Sequence, residues 1–166
     1  TKNPTYARPR AMKPIGILVH STAATNVNLN RYVDYPEKLG VNKYANHWNK
    51  STANKSMHAF IGKDKFGDVA VVETLPYTYS CWGASSGPRG SANRDPFGHI
   101  QFEICEDNAP RSGQPPTVEQ RAYYWAAMGA AAEYCAYLCK KFGFSAKNIT
   151  SHYEAHKAGI ANNHGD

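Results

Sequence analysis

The chain of 166 residues is long enough for one domain whose sizeable core needs no disulfide or metal to hold it together. Its hydrophobic fraction of 42% and charged fraction of 19% exclude a disordered or fibrous protein. The net charge of +6 predicts attraction to polyanions, but the scattered lysines and arginines argue against nucleic acid and leave anionic lipid surfaces or acidic wall polymers.

The first half of the chain is predicted to form a buried strand, short helices and a hairpin. The apolar run PIGILVH, residues 14–20, is typical of a buried strand that ends in a histidine. Residues 27–49 place apolar and aromatic side chains at helical spacing, interrupted by Pro36 and Gly40, which indicates short helical pieces. Residues 57–63 and 68–74 are predicted to pair as a hairpin.

The second half is predicted to contain a long loop, a strand, a long helix and a last short strand. Residues 79–98 are rich in glycine, serine, asparagine and proline, which predicts a long and therefore functional loop. Residues 99–106, HIQFEICE, alternate polar and apolar side chains as a strand with two distinct faces does. Thr117 and Gln120 predict a capping box that opens a helix ending at Gly143, and residues 147–152 are predicted as a short strand ending in a histidine.

Membrane and redox signals are weak throughout the sequence. No apolar run approaches the roughly 18 residues that a transmembrane helix needs, and the first residues lack the apolar core of a secretory signal. We therefore expect synthesis in the cytoplasm without a signal peptide, and no membrane insertion. The four cysteines lack C-x-x-C spacing, which predicts free thiols.

Several histidines stand where metal ligands are often found. Two predicted strands end in His20 and His152, and the last residues add His156, His164 and Asp166. Zinc in hydrolytic sites takes three protein ligands of these types and leaves one position open for water. The residues are candidates for a zinc site, and surface or core positions for each histidine stay open at this point.

Glu103 is the candidate base. It lies in the middle of a predicted strand among apolar neighbours, where a buried carboxylate is unfavourable unless it has a partner. A role in catalysis and a place on the solvated face of the strand are both compatible with this pattern.

Five blocks of sequence resemble those of a known family and follow one another in the same order as in that family. They are ILVHSTAA, SMHAFIGKD, GHIQFEICED, the long helix and ITSHYEAHKAGIANNHGD. Together they are similar to the type-2 N-acetylmuramoyl-L-alanine amidases, zinc amidases that share their fold with peptidoglycan recognition proteins. The likeness is greatest to the catalytic domains of clostridial prophage endolysins. The resemblance runs from Pro14 to Asp166 and implies a single α/β domain with a central mixed sheet flanked by helices. It leaves open whether a wall-binding domain follows in a longer chain.

The resemblance also implies roles for individual residues. His20, His152 and Asp166 match the family's three zinc ligands, and Glu103 matches the glutamate that takes a proton from the attacking water. His164 stands where many relatives have a lysine that stabilises the oxyanion. Since a histidine is only partly charged near neutrality, this role would depend on pH.

Two further positions depart from the family's pattern. Gly83 follows Trp82 where many relatives have a histidine, and Met57 stands where some have a catalytic tyrosine. Substrate contacts at both positions are therefore in doubt, and His58 becomes a weaker candidate for lining the groove. His99 and His156 are expected to lie outside the metal coordination.

The implied activity is hydrolysis of the amide bond between N-acetylmuramic acid and L-alanine in peptidoglycan, by a monomeric catalytic domain that degrades the cell wall and is therefore antimicrobial. Two alternatives remain open: a non-catalytic peptidoglycan-binding module of the same fold, and a cytosolic amidase that recycles soluble muropeptides. The first typically lacks a zinc ligand, and the second would prefer small substrates to whole walls. A nucleic-acid binder is the remote third alternative.

Overall fold

A computed structural model describes residues 2–108 and 113–163, and it contains a five-stranded sheet. The strands lie in the order β3–β2–β4–β1–β5, and every neighbouring pair is parallel except the hairpin of β2 and β3. Their bounds are β1 Gly16–Thr25, β2 Ala59–Lys63, β3 Val69–Glu73, β4 His99–Glu106 and β5 Ile149–Ser151. The expected single α/β domain with a central mixed sheet is confirmed.

One long helix covers one face of this sheet. The helices are α1 Pro4–Ala7, α2 Pro36–Leu39, α3 Val118–Phe142 and α4 His152–Lys157, with 3-10 turns at Leu29–Arg31 and Ala146–Asn148. Helix α3 begins with the predicted capping box of Thr117 and Gln120 and ends at Gly143, whose φ of 70° is the left-handed conformation that favours glycine.

The main core lies between α3 and the sheet. Buried side chains recur every three or four residues along α3, so that one stripe of the helix faces the strands. This stripe and the strand residues that it contacts are Ile17, Ala59, Ile61, Ile100, Phe102, Tyr123, Ala127, Ala131, Tyr134, Cys135 and Leu138.

The opposite face of the sheet is also buried, under loops and α4. Leu18 packs there with Ala84, Ala155 and Ile160, and Phe60 and Cys105 belong to a further apolar cluster. Glu103 points into this layer with 6% of its surface exposed. The alternative of a solvated strand face is therefore wrong, because α3 covers one face of the sheet and loops and α4 cover the other.

Strand β1 is longer than predicted. It continues five residues past His20, because the polar residues that follow still pair with β4: Ser21 lies opposite Ile104, and Thr25 lies opposite Glu106. The register shifts between these pairs, and Ala23 has a positive φ of 52° within the irregular stretch. His20 therefore lies inside the strand, and His152 is the first residue of α4 rather than the last of β5.

Several other predictions are confirmed. The β2–β3 hairpin and the short helices fall in the expected regions, and residues 79–98 form a loop that contains only isolated bridges. All four cysteines are free. Within the two described ranges, no helix is long and apolar enough to cross a membrane.

Candidate active site

Three of the sequence-predicted site residues meet in the layer opposite α3. His20 lies on β1, Glu103 is its register partner on the neighbouring parallel strand β4, and His152 begins α4 directly after β5. All three are buried, with exposed fractions of 3%, 6% and 2%. The parallel pairing of β4, β1 and β5 thus brings together residues that are far apart in the sequence.

The two histidine rings face each other edge to face. Their centroids are 4.8 Å apart, and their Nδ1 atoms are 3.0 Å apart. His20 Nε2 donates to the side-chain oxygen of Gln101 at 3.0 Å, and His152 Nε2 donates to the backbone carbonyl of Asn162 at 3.1 Å. Because both oxygens only accept hydrogen bonds, each ring carries a proton on Nε2, and each turns Nδ1 toward the other ring.

This arrangement suits a cation between the rings. Two lone pairs at 3.0 Å repel each other unless a positive charge lies near both. Tetrahedral zinc with Zn–N bonds of about 2.0–2.1 Å keeps two ligand nitrogens roughly 3.3 Å apart, so the histidine pair fits zinc to within a few tenths of an ångström. Residues 2–108 and 113–163 contain no group of three or more metal-binding side chains, and the other two predicted residues, His164 and Asp166, lie outside these ranges.

The position of His152 follows from the short elements on either side of it. Strand β5 pairs with β1 so that Ser151 lies opposite Val19, which places the next residue beside His20. Ser151 also caps α4: its hydroxyl accepts from the backbone N–H of Glu154 at 3.3 Å, and Glu154 Oε2 accepts from the backbone N–H of Ser151 at 2.7 Å. These hydrogen bonds lower the pKa of Glu154.

Glu103 lies between His20 on β1 and Phe60 on β2, its register partners on the two neighbouring strands. Burial raises the pKa of the nearby Cys105 thiol and Tyr32 hydroxyl, and the charge of Glu103 adds to both effects. Both groups therefore stay protonated at neutral pH. Neither supplies a base or a nucleophile beside Glu103.

The other histidines of this region have structural contacts. His58 is fully buried, its Nδ1 accepts from the backbone N–H of Gln101, and its Nε2 donates to the carbonyl of Tyr79, each at 2.9 Å. Burial lowers the pKa of His58 to about 4. His58 therefore does not line a groove, contrary to the sequence-based expectation.

His99 and His156 bond backbone carbonyls near them in the sequence. His99 Nδ1 lies 2.6 Å from the oxygen of Phe97, and His156 Nδ1 lies 3.4 Å from that of Ala161. Burial also lowers the pKa of His99.

The two departures at Met57 and Gly83 are linked in space. Met57 is buried, and a Cβ atom at position 83 would lie 2.4 Å from Met57 Cε and 2.5 Å from Gln101 Oε1. Position 83 therefore has no room for a side chain while Met57 and Gln101 occupy these places.

A cleft of about 540 Å³ is lined by Asn162, the hydrogen-bond partner of His152, and contains the half-exposed Trp82. Asn93 and Asn162 line it, together with the cations Arg10, Lys55 and Arg94. None of the described residues that line the cleft is acidic. The cleft therefore suits an anionic ligand.

Sequence reasoning missed three residues of the site: Gln101, Asn93 and Asn162. For Gln101 a signal existed, since it lies two residues before Glu103 and thus on the same face of β4. Asn93 and Asn162 lie in loops and carry no comparable local signal.

Three solved structures share this architecture. The catalytic domain of XlyA superposes with a TM-score of 0.59 at 23% identity, covering 89% of this chain and 76% of that one. A mutant endolysin from Bacillus subtilis gives 0.58 at 22% identity over 95% and 80%, and a mutant of PlyL gives 0.55 at 20% over 87% and 71%. No curated protein sequence matches. At these identities the structures establish the fold alone.

The sequence model of one family matches nearly the whole chain. It spans residues 10–166, which include all five predicted site residues, and it describes the N-acetylmuramoyl-L-alanine amidases. The fold of the solved endolysin domains agrees with this match. The chain belongs to the N-acetylmuramoyl-L-alanine amidase family.

Proposed function

We propose that the chain is a zinc-dependent hydrolase that cleaves the amide bond between N-acetylmuramic acid and L-alanine in peptidoglycan, and thereby lyses the cell wall. Family membership supports the amidase chemistry. The observation that carries the zinc proposal is the pair of Nδ1 atoms 3.0 Å apart, with both Nε2 atoms donating to acceptor oxygens.

His20, His152 and Asp166 would hold the metal. When bound, zinc supplies Lewis acidity, which lowers the pKa of water and polarises a carbonyl group. The two histidines contribute neutral nitrogen donors and Asp166 a carboxylate, a combination common in catalytic zinc sites. His20 and His152 are turned correctly for this task by Gln101 and Asn162.

Glu103 would act first as general base and then as general acid. It takes a proton from the attacking water, whose oxygen forms the new bond to the lactyl carbonyl carbon. As the C–N bond breaks, Glu103 returns the proton to the departing amine of L-alanine. Its burial beside His20 on the neighbouring strand supports this role.

His164 would face the oxyanion that develops on the carbonyl oxygen. A protonated imidazole there would stabilise the negative charge, as a lysine does in many relatives. The three cations of the cleft, Arg10, Lys55 and Arg94, would attract the carboxylates of the stem peptide.

Digestion of purified cell walls tests this function. New L-alanine amino termini and muramic acid with a free lactyl carboxyl should appear without new reducing sugars. A chelator should stop their release, and added zinc should restore it. Reducing ends at comparable yield would mean a glycosidase, and full activity in protein without stoichiometric metal would end the zinc proposal.

The same assay separates the two alternative functions. A peptidoglycan-binding module would adhere to walls and release nothing. A recycling amidase would cleave soluble muropeptides and leave intact walls nearly untouched. Release from intact walls by wild-type protein, and loss of this release in Glu103→Gln, would contradict both.

A further inference from the structure

Gln101 accepts the hydrogen bond from His20, and its side chain has little freedom to turn. It is completely buried in the layer opposite α3. Its amide nitrogen donates to the backbone carbonyl of Ala92 at 3.0 Å and to Asn93 Oδ1 at 3.1 Å. Reversing the amide would place its oxygen against both of these acceptors. The oxygen of Gln101 is therefore fixed toward His20 Nε2.

The orientation of Asn93 is fixed in turn by the backbone. Asn93 Oδ1 accepts from the N–H groups of Gly83 at 3.1 Å and Ala84 at 2.9 Å. A backbone N–H can only donate, so the oxygen of Asn93 must face these groups. Gly83 also has no side chain that would displace the oxygen of Gln101.

The same loop reaches the second histidine. The carbonyl of Ala84 accepts from the backbone N–H of Asn162 at 3.1 Å, and the carbonyl of Asn162 accepts from His152 Nε2. Ala84 itself is completely buried. The backbone of Ala84 is therefore connected by hydrogen bonds to both rings. It reaches His20 through Asn93 and Gln101, and it reaches His152 through Asn162.

We propose that Gln101 is a positioning residue that keeps the ring proton of His20 on Nε2 and the Nδ1 lone pair directed at the metal, and that Asn93 and Ala84 hold Gln101 in this orientation. If the amide of Gln101 were reversed, its N–H would face Nε2, and the ring proton would move to Nδ1. A ring protonated on Nδ1 cannot ligate through that atom. This inference rests on the zinc site of the proposed function.

The matched variants Gln101→Met and Gln101→Glu isolate the acceptor. Both side chains are as long as glutamine and lack its two amide donor bonds, but only glutamate keeps an oxygen that accepts from His20. Loss of such a partner typically weakens metal binding by about 10- to 100-fold. We expect this loss in Gln101→Met in a competition titration with a chromogenic chelator. In Gln101→Glu the second oxygen faces the carbonyl of Ala92 and Asn93 Oδ1, but the variant should bind zinc more tightly than Gln101→Met, because its other oxygen still accepts from His20.

Nitrogen NMR of the metal-free protein, with ¹⁵N-labelled histidine at a pH where the rings are neutral, gives a readout that does not depend on zinc. Wild type and Gln101→Glu should carry the His20 proton on Nε2, and Gln101→Met should show both tautomers. Asn93→Leu, a change in a half-buried loop, should move the tautomer in the same direction, with Asn93→Asp as its control.

The outcomes separate this inference from the zinc proposal. Equal zinc affinity in Gln101→Met and wild type, equal losses in the Met and Glu variants, or an unchanged tautomer in Gln101→Met would each overturn the role of Gln101. Wild-type protein that binds no zinc but keeps its proton on Nε2 would overturn the zinc proposal and support the tautomer assignment.

Discussion

The carboxyl group of Glu103 lies in a buried layer, next to a histidine on the neighbouring strand. Replacing it with glutamine keeps the size of the side chain and removes the base. We expect turnover on cell walls to fall by about two to four orders of magnitude, the usual contribution of a general base. Zinc content and melting temperature should change little.

Glu106→Gln is the matched control for this variant. Glu106 lies on the same strand, three residues further along, and accepts a hydrogen bond from Ser21 at 2.5 Å. This change should leave turnover near the wild-type value. Full activity in Glu103→Gln would show that another group is the base, and His58 is not available for it, because both of its nitrogens bond the backbone.

Because of His58, we expect the free energy of unfolding, rather than the catalytic rate, to depend on pH. Burial lowers its pKa from 6.5 to about 4, so below pH 6.5 the unfolded chain binds a proton that the folded chain does not. The free energy of unfolding should therefore decrease as the pH falls from 6.5 toward 4, by at most about 1.4 kcal/mol per pH unit from this residue.

Urea unfolding of wild type and His58→Gln between pH 7 and pH 4.5 measures this effect. The variant will be less stable at pH 7, because it does not reproduce both hydrogen bonds, but its stability should depend less steeply on pH. Equal slopes for the two proteins would contradict the assigned role.

At the scale of single elements, helices α3 and α4 both begin with a capping box, but only α4 carries a predicted metal ligand. Thr117 caps α3, which packs on the other face of the sheet from the histidine pair, whereas Ser151 caps α4 immediately before His152. Replacing either residue with alanine should lower the free energy of unfolding by about 1 kcal/mol. Only Ser151→Ala should also weaken zinc binding, because it loosens the turn that carries a metal ligand.

Zinc titration and urea unfolding of both alanine variants test this difference. The Thr117 variant controls for the loss of stability itself. Equal zinc affinities in the two variants would mean that the cap of α4 does not position His152.

Elements with local signals could be predicted, and elements that depend on distant pairing could not. The capping box and Gly143 fix both ends of α3 within a few residues of sequence, and alternation defines β4. Strand β1 extends past His20 because its polar residues pair with β4 and because the Tyr32 hydroxyl lies 3.0 Å from the carbonyl of Ala24. Nothing within residues 21–25 signals either contact.

The same distinction holds for the candidate site. Family resemblance suggested His20, His152 and Glu103, which the structure brings into one buried layer. The spacing from Glu103 places Gln101 on the same face of β4, but its role depends on contacts with Asn93 and, through it, Ala84, and those contacts depend on how a long loop folds. The departures from the family's pattern at positions 57 and 83 are likewise explained only by the structure, in which Met57 fills the space beside Gly83.

At the scale of the whole molecule, the net charge of +6 and the three cations of the cleft should accelerate encounter with anionic cell walls. The rate of wall digestion should therefore fall as salt rises from about 0.1 M to 1 M, where the Debye length shrinks from about 10 Å to 3 Å. Hydrolysis of a small uncharged muramyl-alanine amide, the control, should change much less. Parallel decreases for both substrates would point to an effect on the active site itself.

The link through Ala84 limits how this domain can be recombined. Loops are usually the parts that relatives exchange most readily, because few contacts tie them to the scaffold. Here, residues 83–93 share hydrogen bonds with Gln101 on the central strand and with Asn162 near the last helix. A chimera that takes only this loop from a relative at about 20% identity would receive the loop's side of these hydrogen bonds without the matching strand and C-terminal segment. A functional graft must therefore transfer three parts together: the loop, strand β4 and the segment that contains Asn162.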